Sequence, residues 1–220
     1  MALILNIETA TRNCSVALSQ NGEVTALKEI AADGYLHAEK LHLFIEEVLK
    51  YSKATVKDLD AVAVSMGPGS YTGLRIGVSA AKGLCYALNI PLIAIDTLEA
   101  LAKRISVAGG EFIVPMIDAR RMEVYSSIFN SSYTKIRDTK AEIITSESFT
   151  EYSSKIHLLG DGASKCSELL TDDKFVYHNI ELFPSAAQMC RLSFEKHKKS
   201  DTVDVAYFEP FYLKDFIVNR

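Results

Sequence analysis

The chain has 220 residues, 48% of them hydrophobic and 24% charged, with 24 basic against 28 acidic side chains. That balance excludes global disorder, and the length allows one large domain or two small lobes. No apolar run approaches the roughly 20 residues that span a bilayer. The N-terminus (Ala2 to Leu5, then Asn6 and Glu8) lacks both the basic stretch and the apolar length of a secretory signal, so a cytoplasmic location and no membrane contact are expected. Cys14, Cys85, Cys166 and Cys190 stand apart, without a CxxC pair, and read as reduced, buried thiols. The net charge of −4 argues against a domain that grips nucleic acid alone, because such domains carry a basic face. Two small basic spots, Arg120–Arg121 and Lys196 to Lys199, read as solvated charges at a turn and a helix end.

The first element is a buried strand, Leu3 to Thr9, followed by a polar loop and a second strand, Cys14 to Gln20. Asn21–Gly22 is a strong hairpin signal and returns the chain into Glu23 to Ile30. His37 to Tyr51 has helical periodicity, with Leu41, Phe44, Ile45, Val48 and Leu49 on one stripe. Ala61 to Met66 is a continuous apolar run, as in a strand covered on both faces. The loop Gly67-Pro68-Gly69-Ser70 leads into a long helix to about Asn89, then a strand Pro91 to Asp96 and a helix from Thr97. This strand–helix alternation predicts parallel neighbours. Gly109–Gly110 marks a lobe boundary, dividing an N-terminal lobe, 1–108, from a smaller C-terminal α/β lobe, 109–220. Beyond it a second hairpin joins Phe112 to Asp118 with Glu123 to Asn130. Strands follow at Ile156 to Gly160 and Phe175 to His178, with helices near Ser164 to Leu170 and Ser185 to His197. Both halves open strand–turn–strand, so the expected fold is a duplicated, two-lobed α/β protein with mixed sheets.

Asn6 to Leu18, NIETATRNCSVAL, resembles the first phosphate loop of the actin, heat-shock chaperone and sugar-kinase superfamily. In that loop a strand ends on an acid and a tight turn offers backbone N–H groups to phosphate. Glu8 stands at the acidic position, and Thr9 and Thr11 supply hydroxyls. Ala10 stands where a glycine would allow close approach, and Arg12 replaces a small residue. A second turn of this kind is Leu159-Gly160-Asp161-Gly162-Ala163, where Gly160 and Gly162 would bracket a nucleotide.

GPGSYTGLRIG (Gly67 to Gly77), with IDARRMEVY (Ile117 to Tyr125), LGDGA and PFYLKD (Pro210 to Asp215), resembles the bacterial TsaB (YeaZ) family. That resemblance implies an actin-like fold and a non-catalytic role in making the tRNA modification threonylcarbamoyladenosine. It also implies assembly with the related catalytic subunit TsaD and with the ATPase TsaE. TsaD transfers a threonylcarbamoyl group from an adenylate to the adenosine beside the anticodon; tRNA would be met indirectly. ATP or ADP would be held only within the complex, with no intrinsic cofactor.

The residues carry a binding role on separate grounds. On the helix from Tyr71, one row holds Leu74, Val78, Ala81, Cys85 and Leu88; Ile76, Leu84 and Ala87 lie elsewhere, and only Arg75, Ser79, Lys82 and Tyr86 are a polar stripe. Gly73, Gly77 and Gly83 each lose about 1 kcal/mol of helix propensity relative to Ala, tolerable where another backbone approaches closely. A second apolar face either lies in the core or docks a partner helix. Leu43, roughly 160–200° from the stripe of its own helix, would extend such a patch. The expected interface is therefore Leu43, Tyr71, Leu74, Arg75, Val78, Ala81, Lys82 and Cys85, used for a homodimer when the chain is alone.

No metal and no catalytic residue are expected. TsaD-like relatives carry HxxxH after the strand equivalent to PLIAID, where this chain has Thr97 and Leu101. His37 and His42 fall about 140° apart around their helix. Ser70 sits in GPGS rather than a nucleophile elbow. The alternative is a small-molecule kinase or ATP-binding protein of the same superfamily, using Glu8, Thr9, Thr11 and the Gly160–Gly162 turn, with Asp96 and Asp118 as its acids.

Overall fold

Leu3–Glu8 (β1) is buried at nearly every position because neighbours flank it on both edges and helices cover both faces. Asn13–Gln20 (β2) runs antiparallel to it, and Asn21–Gly22 turns β2 into Glu23–Ala31 (β3). The helix His37–Tyr51 (α1) follows, then Ala61–Gly67 (β4), which pairs parallel with β1. Tyr71–Leu88 (α2) crosses over to Leu92–Asp96 (β5), parallel to β4, and Thr97–Ala102 forms a short helix (α3). The sheet order is β3-β2-β1-β4-β5. Further on come Phe112–Asp118 (β6), Glu123–Asn130 (β7), Lys135–Ile143 (β8), Ile156–Leu159 (β9), Phe175–Tyr177 (β10) and the helix Ala186–Lys198 (α4). This computed structural model describes residues 1–32, 36–178 and 182–214; Asp215, the last residue of the PFYLKD landmark, lies outside them.

The second sheet has the order β8-β7-β6-β9-β10 and repeats the plan of the first. In each, three antiparallel strands are extended by two parallel ones. The duplication expected from the two strand–turn–strand openings is thus present strand for strand. Strand β8 escapes sequence reading because KIRDTKAEI carries charge where a buried strand would carry Val or Leu. As an edge strand it needs only a half-buried row, in which Arg137 pairs with Glu142. The helix expected at Ser164 to Leu170 is a single 3₁₀ turn, Ser164–Cys166.

The compact units do not divide at residue 109. One comprises Met1–Ala100 with Pro184–Phe211, the other Leu101–Phe183 with Tyr212–Arg220. The correction has a physical cause in α4. Its Ala186, Met189 and Cys190 pack on Ile4, Ala17, Ala61, Ala63, Ile93 and Ile95, the face of the first sheet turned away from α1 and α2. Polar groups fix the docking. The N-cap Ser185 accepts from the Ala187 N–H (3.3 Å) and donates to Glu29 Oε2 (2.6 Å), while Ser193 donates to the buried Asn6 of β1 (2.7 Å). All four cysteines are buried free thiols. Among the described residues no helix is long and apolar enough to cross a membrane.

Met189 is fully buried between α4 and the sheet. Met189→Ala is expected to lower the unfolding free energy by about 2–5 kcal/mol, read from chemical denaturation; a loss below 1 kcal/mol would mean that α4 is peripheral.

Candidate functional site

The loop after β1 is folded inward. Glu8 is wholly buried; its Oε1 accepts from the Ala10 N–H (2.6 Å) and the Ser65 hydroxyl (3.0 Å), and Oε2 has no partner among the described residues. Burial favours the neutral acid and outweighs the hydrogen bonds from Ala10, Ser65 and Thr9, so its pKa rises from 4.5 to about 7. Thr9 Oγ1 donates to the Gly73 carbonyl (2.8 Å), the Ala10 carbonyl accepts from Ser70 N–H (2.7 Å), and His37 Nε2 meets the Thr11 carbonyl at 2.8 Å. Thr11 Oγ1 accepts from the Asn13 N–H (3.4 Å). Glu8, Thr9 and Thr11, expected to face phosphate, instead form an internal joint between β1 and α2.

Two glycines of α2 make that joint possible. A Cβ on Gly73 would overlap the Thr9 carbonyl oxygen, and one on Gly77 would overlap Thr9 Oγ1. The close approach inferred from these glycines is real, but it is made by the chain's own loop. On Gly83, by contrast, an added Cβ would meet nothing within 4 Å.

The row Leu74, Val78, Ala81 and Cys85 is also turned inward. These side chains are buried in the first unit, the last three in one cluster with Leu5, Val16, Leu41 and Val62, so they are core and not interface. The reason is crossover geometry: a helix linking β4 to β5 must lay its most regular apolar row on the sheet. Lys82 is half-buried and donates to the carbonyls of Ala206 and Phe208 at 3.0 Å each, which ties down the C-terminal segment. The Arg75 guanidinium lies 4.1 Å from the centre of the Tyr71 ring. The face of α2 that remains outside carries Thr72, Arg75, Ser79, Gly83, Tyr86 and Ala87, with Ile76 and Leu84 half-buried at its edge. Leu43 is 49% exposed on α1, which packs beside α2, and Tyr86 is 85% exposed. Tyr86 belongs to the polar stripe Arg75, Ser79, Lys82 and Tyr86 of the sequence and lies about 120° around the helix from Leu74, outside the row that meets the sheet.

The second glycine turn is likewise structural. Gly160 has φ +99°, and a Cβ there would overlap the Met116 carbonyl; the Gly162 N–H donates to that same carbonyl (3.0 Å). Asp161 Oδ1 accepts from Asp118 N–H (3.0 Å). Gly160 and Gly162 therefore seat the turn on β6, and the one-turn helix after them offers no extended N-terminus to a phosphate. They belong to the second unit, while Glu8, Thr9 and Thr11 belong to the first. Asp118 pairs with Lys165, whose ammonium also donates to the carbonyls of Arg121 and Glu123 (2.7 Å each). Asp96 accepts from the N–H groups of Leu98 (2.8 Å) and Glu99 (3.0 Å) and caps α3. The acids assigned to a kinase reading are thus engaged in holding turns.

Thr97 and Leu101 are fully buried, and Thr97 Oγ1 accepts from Gly67 N–H (3.1 Å). Among the described residues no three His, Cys, Asp or Glu side chains converge on a metal-sized point.

The family model described as "TsaD: tRNA N6-adenosine threonylcarbamoyltransferase" matches residues 29–214. YeaZ from Pseudomonas aeruginosa superposes with a TM-score of 0.85 at 25% identity, over 97% of this chain and all of that one. The ADPNP-bound activator of 2-hydroxyisocaproyl-CoA dehydratase from Clostridium difficile shares the fold alone, with a TM-score of 0.51 at 10% identity, over 90% of this chain and 97% of that one. Fold and family match together define a protein of the TsaD-related class. The tRNA threonylcarbamoyladenosine biosynthesis protein TsaB of Escherichia coli is 31% identical over 96% of this chain and 94% of that protein. The chain belongs to the TsaB family.

Two measurements test the joint. The unfolded chain ionises Glu8 near 4.5 while the folded chain holds its proton to about 7. Stability contributed here is intact below 4.5, falls as pH rises through that window, and levels off above it; at about 1.4 kcal/mol per pKa unit the loss is on the order of 3 kcal/mol. Glu8→Gln should therefore gain stability relative to the parent between pH 5 and pH 8, whereas an unchanged difference between the two curves would contradict the buried acid. In parallel, Gly77→Ala should destabilise the chain and Gly83→Ala should stabilise it by about 1 kcal/mol. Equal responses at the two glycines would remove the distinction between them.

Proposed function

We propose that this chain is a non-catalytic scaffold subunit. It docks a TsaD-type threonylcarbamoyltransferase and supports it in tRNA threonylcarbamoyladenosine modification. The observation that carries the reading is the outer face of α2 around Gly83. Among the described residues nothing uses the missing side chain there, although glycine weakens a helix, and Tyr86 stands beside it in solvent. A closely packed partner helix accounts for both, with Leu43 of α1 extending the contact. Arg75 and Tyr71 border this face; Leu74, Val78, Ala81 and Cys85 hold its scaffold from beneath.

A catalytic role is disfavoured by Thr97 and Leu101, which cannot serve as imidazole ligands, and by a phosphate loop whose hydroxyls and acid face inward. The TsaE-type ATPase and tRNA are reached through the complex, in the cytoplasm. The chain has no intrinsic cofactor, and ATP or ADP is bound only within the complex. Without that subunit, the same face closes on a second copy.

Size exclusion of the chain with the TsaD-type subunit from the same genome tests this. The parent should co-elute, and Gly83→Arg should weaken the complex at least 10-fold without lowering the chain's own melting temperature. Calorimetry of the isolated chain with ATP–Mg should show no saturable heat. Undiminished co-elution of Gly83→Arg would remove α2 from the interface, and tight nucleotide binding by the lone chain would favour the ATP-binding alternative.

A further inference from the structure

The two hairpins of the fold are turned with very different residues. Between β2 and β3 the left-handed positions are Asn21 (φ 53°) and Gly22 (φ 87°), the residues that tolerate this backbone best. Between β6 and β7 they are Arg120 (φ 70°) and Arg121 (φ 52°). Among the described residues these are the only adjacent non-glycine residues with positive φ. Each strains a side chain with a Cβ, and strain of this kind persists where the surroundings hold it in place.

The surroundings do so here. Asp118 Oδ1 accepts from the Arg120 N–H (3.0 Å) and pairs with Lys165, which also clamps the carbonyls of Arg121 and Glu123. Ala119 N–H donates to the Glu123 carbonyl (3.0 Å), and Asp161 anchors Asp118 from the glycine turn. This bracing uses up the other charges near the tip, since Lys165 is neutralised by Asp118 and Lys214 by Glu123. Both arginines are exposed, and neither guanidinium has an ion-pair or hydrogen-bond partner among the described residues. The result is a braced tip on an acidic chain, carrying two positive charges that are unpaired among the described residues.

The geometry points to the Arg120–Arg121 tip as a contact for the phosphodiester backbone of RNA, a role that rests on the proposed part in tRNA modification. Guanidinium forks match phosphate oxygens in geometry and charge. A small phosphorylated ligand is enclosed by a concave site, whereas a hairpin tip projects and can only be laid against something extended. Two phosphate contacts would orient RNA on the assembly without reading its sequence. They are also too few to hold it alone, consistent with the net charge of −4.

The test is the double variant Arg120→Asn with Arg121→Gly, which gives this hairpin the turn residues of the other. Removing the strain should raise the melting temperature of the isolated chain by roughly 2–8 °C. In the complex with the TsaD-type subunit, tRNA-transcript affinity should fall roughly 10-fold or more, and the slope of log affinity against log salt should flatten by about 1.5. Arg120→Lys with Arg121→Lys should keep most of that slope. Unchanged affinity and slope in the Asn–Gly variant, with the subunit still co-eluting, would overturn the RNA contact and leave the scaffold reading standing. Loss of co-elution in the variant alone would make the tip a protein contact and overturn it too. A lowered melting temperature would refute the strain argument. Failure of the parent chain to co-elute would instead bring down the scaffold reading beneath it.

Discussion

The contact of Thr9 with Gly73 and Gly77 holds the first unit in its observed form. Because neither glycine has a Cβ, α2 can lie against the loop after β1, and Thr9 can donate to a helix carbonyl that would otherwise be reached only by its own turn. That approach shuts Glu8 away from water, and the free energy of burying a carboxylate then sets its proton affinity. The same approach turns the regular row Leu74, Val78, Ala81 and Cys85 down onto the sheet. The reverse side of the helix stays outside, with Gly83 and the exposed Tyr86 on it.

The loop after β1 and the glycine turn after β9, which resemble phosphate cradles in sequence, hold the chain to itself. Glu8, Thr9 and Thr11 bond inward to α2, β4 and α1, and Gly160 and Gly162 seat a turn on β6. Gly83 on α2 and the arginines of the β6–β7 tip are both places where a locally unfavourable residue is retained without an internal use, and both lie outside the packed joints.

Most elements were legible because burial imposes period. His37–Tyr51 and the β6 and β7 strands fall where apolar spacing puts them, and Asn21–Gly22 announces its turn. Strand β8 was not legible, since an edge strand with charged residues in both rows has no hydrophobic rhythm. Gly73 and Gly77 of α2 do mark close approach, but the neighbour is the chain's own loop, and Gly83 has no neighbour within 4 Å among the described residues. Spacing along a helix reports that something comes near Gly73 and Gly77, while only the fold says that it is Thr9. In the same way, the row at Leu74 was visible as apolar, but which of two apolar faces meets the sheet depends on how the crossover from β4 to β5 is wound. The unit boundary failed for a tertiary reason: a helix near the C-terminus completes the first sheet, and no local signal records so distant a return.

That return has a consequence for how the chain is made. Synthesis proceeds from the N-terminus, so Ile4, Ala17, Ala61 and Ile93 leave the ribosome long before the helix that covers them. About 100 residues separate β5 from the end of α4, an interval of roughly 5–20 s at ordinary translation speeds. The later-made strands, complete by residue 183, can close first, while the earlier half waits with one greasy side bare. Chaperone capture of the nascent protein should therefore concentrate in that interval and fade once Met189 and Cys190 emerge.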